Sequence, residues 1–218
     1  MEQTESSATT YSRRHWAQIV SDICSPLLVP TYGTAVAMWF TNLRAVPEVY
    51  RLIVTAIVAF ITAGIPLATV LVLMRRGRVS DMPITNRGER IAPMWVASMC
   101  YVGTSFVLGY FGCPMWLRLF MCGAGIATVI ALIITIFWKI SAHMIGIGGL
   151  LGGLKGVARI HLINPYLLFI AVLLIAGLLG TSRIFLKRHT PLQVYAGFSL
   201  GFMCTFVASM MSYIYLFI

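Results

Sequence analysis

The sequence predicts an all-α polytopic membrane bundle with six or seven transmembrane helices, and three observations carry that prediction. Of 218 residues, 59% are hydrophobic and only 10% are charged, against about 25% charged in an ordinary soluble domain. The mean hydropathy is +0.89. Crossing roughly 30 Å of hydrocarbon at about 1.5 Å per residue takes about 20 apolar residues, so a chain of this length is filled by its spans. A single transmembrane domain over 19–218 is expected.

Taken in order, the first 18 residues (MEQTESSATTYSRRHWAQ) are polar and lack the apolar core and small-residue cleavage site of a signal peptide. They predict a retained polar tail. Apolar runs then predict spans over 19–41, 52–74, 92–112, 115–138, 142–158, 164–181 and 191–217. The fifth is short and rich in glycine. Its Gly148, Gly149, Gly152, Gly153 and Gly156 give overlapping small-xxx-small spacings that let two helix backbones approach closely; a phosphate-cradling loop is the other reading. Trp16, Trp39, Trp95, Trp116 and Trp138 fall near predicted helix ends, as an interfacial aromatic belt requires. The five cysteines lie mainly in or at the ends of apolar runs without CxxC spacing, and read as small buried hydrophobes.

The net charge is +10. The cations are scattered between spans and no soluble module exists to carry a groove, so nucleic acid is excluded and the expected partners are the bilayer and anionic lipid. The acids are few: Glu2, Glu5, Asp22, Glu48, Asp81 and Glu89. Hard cations take clustered oxygen ligands, which this chain does not supply. No metal and no other cofactor is expected, and metal-dependent prenyl or phosphatidyl transfer is excluded. With seven spans and an inner N-terminus, the inner loops hold Arg13, Arg14, Arg75, Arg76, Arg78, Arg87, Arg90, Lys139, Arg183, Lys187 and Arg188, eleven of the sixteen cations. The positive-inside rule then places the polar loops on the cytoplasmic side. An integral protein of a bacterial cytoplasmic (inner) membrane is the expectation. Setting aside Arg87, Arg90, Arg183, Lys187 and Arg188 as ligand groups leaves six against five.

Helix parity puts loop 75–91, the KISAH junction at 139–143 and the SRIFLKRHT loop at 182–190 on one side of the membrane, whichever side that is. The last of these contains Ser182, Arg183 and His189 and is followed by Gln193, a spacing of S-R-x5-H-x3-Q. The junction contains Ser141-Ala142-His143 at another helix entrance. Together, with Gly197 and Gly201 in the helix that follows, these residues resemble the later motifs of the type 2 phosphatidic acid phosphatase family, P-S-G-H and S-R-x5-H-x3-D. The resemblance covers the chain from about Asp81 onward. It implies a metal-independent phosphatase in which His189 attacks phosphorus, His143 protonates the leaving oxygen, and Arg183, Ser182, Ser141 and backbone N–H groups hold the phosphoryl oxygens. Donors aimed at those oxygens stabilise developing charge, and imidazole serves as nucleophile or proton donor near neutral pH. Helix N-termini after Ser141 and Thr190 add positive dipole ends.

Two departures from the family pattern bear on activity. In the first motif, K-x6-R-P, Pro83 stands where the lysine belongs and Ile91 where the proline does. Arg87 and Arg90 share one helical face at i and i+3 if that stretch is helical, and they read either as phosphate ligands or as leaflet anchors. The second departure is Gln193, where the family has an aspartate that orients the nucleophilic histidine. Glutamine accepts the same bond without bringing charge. In the serine-protease triad, exchanging the orienting carboxylate for an amide costs about 10⁴ in turnover. Gln193 also fits the third helical position of a capping box begun by Thr190 and Pro191. Cap and histidine partner are both open, and Asp22 stands as a replacement carboxylate or as a plain helix-end residue.

Two functions follow. One is a lipid-phosphate phosphatase for phosphatidic acid, phosphatidylglycerol phosphate, a polyprenyl diphosphate or a lipid-A-type phosphate, the chain entering laterally between helices. The other is a non-catalytic protein that binds or transports an anionic lipid or phosphate with the same cations.

Overall fold

The structure is a computed structural model that describes residues 14–80, 84, 86, 88–161 and 165–214. It is all-helical, with no strand among the described residues. The helices are α1 (14–23), α2 (Val29–Phe40), α3 (Glu48–Ala59), α4 (Ile65–Arg75), α5 (Ile91–Tyr110), α6 (Met115–Phe137), α7 (Ala142–His161), α8 (Tyr166–Phe185) and α9 (Pro191–Ile214). A π-helical turn, Phe60–Gly64, joins α3 and α4 into one run. Pro66 supplies the reason: it has no N–H for the Thr62 carbonyl, and the Ile65 N–H reaches back to the Phe60 carbonyl to widen the turn.

Five helices are long and apolar enough to cross a membrane: Glu48–Arg75, Gly88–Tyr110, Met115–Phe137, Tyr166–Phe185 and Pro191–Ser212. The protein is therefore an integral membrane protein. The shorter apolar stretch Ala142–Ala158 of α7 falls below that length.

The expected first span over 19–41 is corrected. The chain breaks at 24–28 into α1 and the twelve-residue α2, because Pro26 interrupts the ladder and Pro30 restarts it in the first turn of α2. Irregular backbone at membrane depth needs protein partners, and Tyr101 supplies one, its hydroxyl donating to the Pro26 carbonyl at 3.2 Å. The polar tail is also shorter than expected. Helix is present by residue 14, with Ala17 and Ser21 turned one helical repeat apart into the protein; residues 1–13 lie outside the described part.

Trp116 departs from the aromatic belt. It is buried in a core cluster with Met38, Val54, Leu117 and Met121, whereas Trp16 is exposed. Of the free cysteines only Cys113 is buried; the other four are half-buried.

The glycine-rich stretch is a helix, not a phosphate loop, and its glycines serve packing. α7 and α9 run parallel with their backbones in contact. A methyl group at Gly148 or Gly152 would strike the carbonyl of Phe198 or Phe202, and one at Gly201 would strike the carbonyl of Ile145. Thr205 adds a hydrogen bond from its hydroxyl to the Gly149 carbonyl at 2.7 Å. With no hydrophobic drive between helices in lipid, such close approach is what makes a pair. Its effect on the site is to hold the entrances of α7 and α9, where His143 and His189 reside, side by side.

Candidate functional site

The spacing between Arg183 and His189 has a local cause. Helix α8 ends in a Schellman turn: the Arg188 N–H bonds the Arg183 carbonyl at 3.1 Å and the Lys187 N–H bonds the Ile184 carbonyl at 2.9 Å. Lys187 takes the left-handed position with φ 54°. The reversal folds the next residue back, so that the His189 N–H approaches the same Arg183 carbonyl at 3.4 Å. Six residues of separation are thus what brings the imidazole over the last turn that carries Arg183. A lysine in left-handed backbone costs about 1–2 kcal/mol, which glycine does not incur. Lys187→Gly is therefore expected to leave the site intact and stabilise the protein by about 1 kcal/mol, whereas Lys187→Val destabilises it; thermal unfolding in detergent distinguishes the pair.

Gln193 performs both roles open in the sequence, with one atom. Its Oε1 accepts from the Thr190 N–H at 3.2 Å and faces His189 Nδ1 at 3.1 Å, while its own N–H donates to Thr190 Oγ1 at 3.4 Å. The capping box is complete. It also decides protonation: the Thr190 N–H can only donate, so the amide atom there is the carbonyl oxygen, and Nδ1 must then carry the proton. That leaves His189 Nε2, on the other side of the ring, with its lone pair. The partner of His189 is Gln193, and Asp22 is engaged elsewhere, its Oδ1 accepting from Gln18 at 2.8 Å.

Burial pushes the His189 pKa down to about 3, and the positive charge of Arg183 acts in the same direction; the Gln193 bond opposes them, and Arg90 and Lys139 add smaller depressions. The unfolded chain's histidine titrates near 6.5. Between those values the unfolded state binds more protons, so acidification from about pH 6.5 toward 3 destabilises the fold. The expected result is a ring that remains neutral by ¹⁵N NMR at pH 5, with a melting temperature that falls below about pH 6.5 and falls less steeply in His189→Ala. A ring that titrates near 6.5 would contradict this.

Around the imidazole the structure gathers groups from distant parts of the chain. Arg183 is buried, and its Nη1 donates to Ser21 Oγ at 2.7 Å. Ser21 Oγ also meets His143 Nε2 at 3.3 Å. Having accepted from the guanidinium, the hydroxyl has its own proton to give to the imidazole. Ser21 is the member of this cluster that sequence reasoning missed, because nothing in α1 marks it before α1 is packed against Arg183 and His143. Ser141 is fully buried, and its hydroxyl has no partner among the described residues; Arg183 Nε is in the same condition. A buried donor without a partner is costly, and both are of the kind that an anion would satisfy. Arg90 joins them, held by its Nε bond to the Ile84 carbonyl at 2.8 Å. Ser182 is not aimed at this group: its hydroxyl donates to the Leu178 carbonyl of its own helix at 2.8 Å. Arg87 lies outside the described residues.

Arg90, His143, Arg183 and His189 line one end of a cavity of about 480 Å³, with Ser21 and Asp22 beside them. The remaining wall is almost wholly apolar and is built from α2, α4, α5, α6, α7 and α9. No group of three or more histidine, cysteine or acidic residues suited to a metal occurs among the described residues. No protein-family model, curated protein or solved structure matches the chain.

Proposed function

We propose that this protein is a lipid-phosphate phosphatase that works without a metal through a phosphohistidine at His189, similar in its motifs to the type 2 phosphatidic acid phosphatases. The observation that carries this reading is the Gln193 carbonyl, which holds the proton on Nδ1 and leaves Nε2 as a neutral nucleophile beside buried, unpartnered donors. Nε2 attacks phosphorus as the bond to the leaving oxygen breaks, and His143 gives that oxygen a proton. The incoming dianion offsets the surrounding cations and so favours the protonated form of His143 that this step needs. Arg183, Arg90 and Ser141 bind the phosphoryl oxygens, and Ser21 positions His143. Water then attacks the phosphohistidine, losing its proton to His143, and inorganic phosphate leaves. We count α7 as a sixth crossing, since it lies along α9 from Ser141 opposite Gly197 to Gly156 opposite Ser209.

The test supplies purified protein in chelator with phosphatidic acid, phosphatidylglycerol phosphate, a polyprenyl diphosphate and a lipid-A-type phosphate. Released phosphate, together with an acid-labile phosphoryl group mapped to His189, is the expected result. A second reading, a binder or carrier of anionic lipid, is favoured by the neutral amide at 193, which brings no charge to stabilise an imidazolium. Retained binding of all four lipids with no phosphate released from any would decide for it.

A further inference from the structure

The cavity is polar at one end and apolar for the rest of its length, and its apolar end meets Phe120 and Leu150. Phe120 of α6 is buried and lines this cavity. It also lines a second, much smaller cavity of about 30 Å³, walled further by Gly33, Ala37, Trp116, Gly153 and Val157. Among the described residues, Phe120 and Leu150 alone face both spaces. The ring is clamped between two glycines: a methyl group at Gly33 would come within 2.9 Å of it, and one at Gly153 would collide with it. Glycine at those positions is what lets an aromatic ring stand across the passage.

We infer that the cavity takes one apolar chain of a lipid phosphate end-on, and that Phe120 is the stop that sets the longest chain accepted. This rests on the phosphate end proposed above and adds the class of substrate: a single-chain amphiphile carrying a terminal phosphate. His143 and Leu150 are seven residues apart on α7, and Ala131 and Phe120 eleven apart on α6. The apolar part is thus on the order of 10–16 Å deep, about half the ~30 Å of hydrocarbon that a bilayer presents. At roughly 30 Å³ per water-sized group, about 480 Å³ holds about sixteen groups, enough for one chain of that depth together with its phosphate. Beyond the ring the second cavity offers room that a longer chain reaches only if the ring is removed.

The experiment uses full-length protein in nanodiscs and a homologous series of n-alkylphosphonates, which carry the anion but are not hydrolysed. Affinity measured by calorimetry is expected to rise about fourfold per added methylene, equivalent to about 0.8 kcal/mol for each one buried, and then to stop rising at a limiting length. Phe120→Ala moves that limit to longer chains. Ala124→Leu, which fills the same cavity from the same face of α6 one turn along from Phe120, moves it to shorter ones and serves where the larger truncation fails to fold. A limit that is absent, or that stays in place in both variants, overturns the inference. Parallel release of phosphate from the matching alkyl phosphates reports on hydrolysis separately: binding with a movable limit but no release leaves the stop standing and removes the phosphatase, and release without any limit does the reverse.

Discussion

His189→Ala is expected to lower the release of phosphate from a lipid phosphate by about 10⁴-fold or more, to the uncatalysed background, and to abolish the phosphoenzyme. Losses of this size follow when the nucleophile itself is removed, since no other group can form the intermediate. His143→Ala is expected to cost less, about 10²–10⁴-fold, the range of a proton donor for which water can substitute. Lipid binding survives in both, because Arg183, Arg90 and Ser141 are untouched. Gln193→Asp is the informative companion. An aspartate, one methylene shorter than the glutamine that now accepts from both groups, offers His189 Nδ1 a charged acceptor that favours an imidazolium, so turnover is expected to rise by about tenfold or more, a fraction of the ~10⁴ that separates amide from carboxylate in the serine-protease triad. The His189 pKa rises with it, upward from about 3. Initial rates across pH for the three variants check this; activity that persists in His189→Ala would remove this residue from the chemistry.

Gly201→Ala is expected to destabilise the protein by about 3 kcal/mol and to lower turnover about 100-fold. The added methyl group would overlap the Ile145 carbonyl and crowd the Gly149 N–H. Both are backbone atoms of α7, so no rotamer change relieves the contact, and the two helices must part. Overpacking costs about 1–3 kcal/mol where side chains can adjust, and this site lies at the upper end because they cannot. Parting α7 from α9 also moves His143 relative to His189, and a displacement of about 1 Å at a reacting pair is worth roughly 10² in rate. Gly177→Ala is the control. It lies in α8 with nothing within 4 Å of the added methyl group, so the higher helix propensity of alanine leaves stability unchanged or raised by up to about 1 kcal/mol. Melting temperatures and turnover of the two variants, measured side by side, test the argument; equal behaviour would refute the role given to the α7–α9 contact.

Several parts of the site were legible in the chain because they are local. The S-R-x5-H spacing was legible as a motif, and the structure adds that it spans a helix terminus, a left-handed residue and a return, all within hydrogen-bonding reach of one another. The capping box from Thr190 to Gln193 was readable from residue types alone, and it formed as read. What could not be read was whether capping excluded the bond to His189, since one carbonyl oxygen has two lone pairs and only the geometry says that both are used. Ser182 marks the opposite failure. Its place in the motif pointed to the phosphate, but a serine inside a helix has a carbonyl four residues back within reach, and there its hydroxyl stays.

The sequence by itself determined that the chain is helical and membrane-embedded, because hydropathy and span length are properties of composition and local order. It also determined the glycine spacing through which α7 meets a partner. Which partner that is, and that Ser21 in α1 joins Arg183 to His143 across 162 and 122 residues of chain, only the tertiary structure decided. The same holds for the break at 24–28 that brings α1 onto the site, and for Phe120 standing between two glycines from different helices. Local motifs are set by bonds within a few residues, whereas a cavity belongs to no segment: it is the space left when helices distant in sequence pack, and its walls and its end exist only once they have done so.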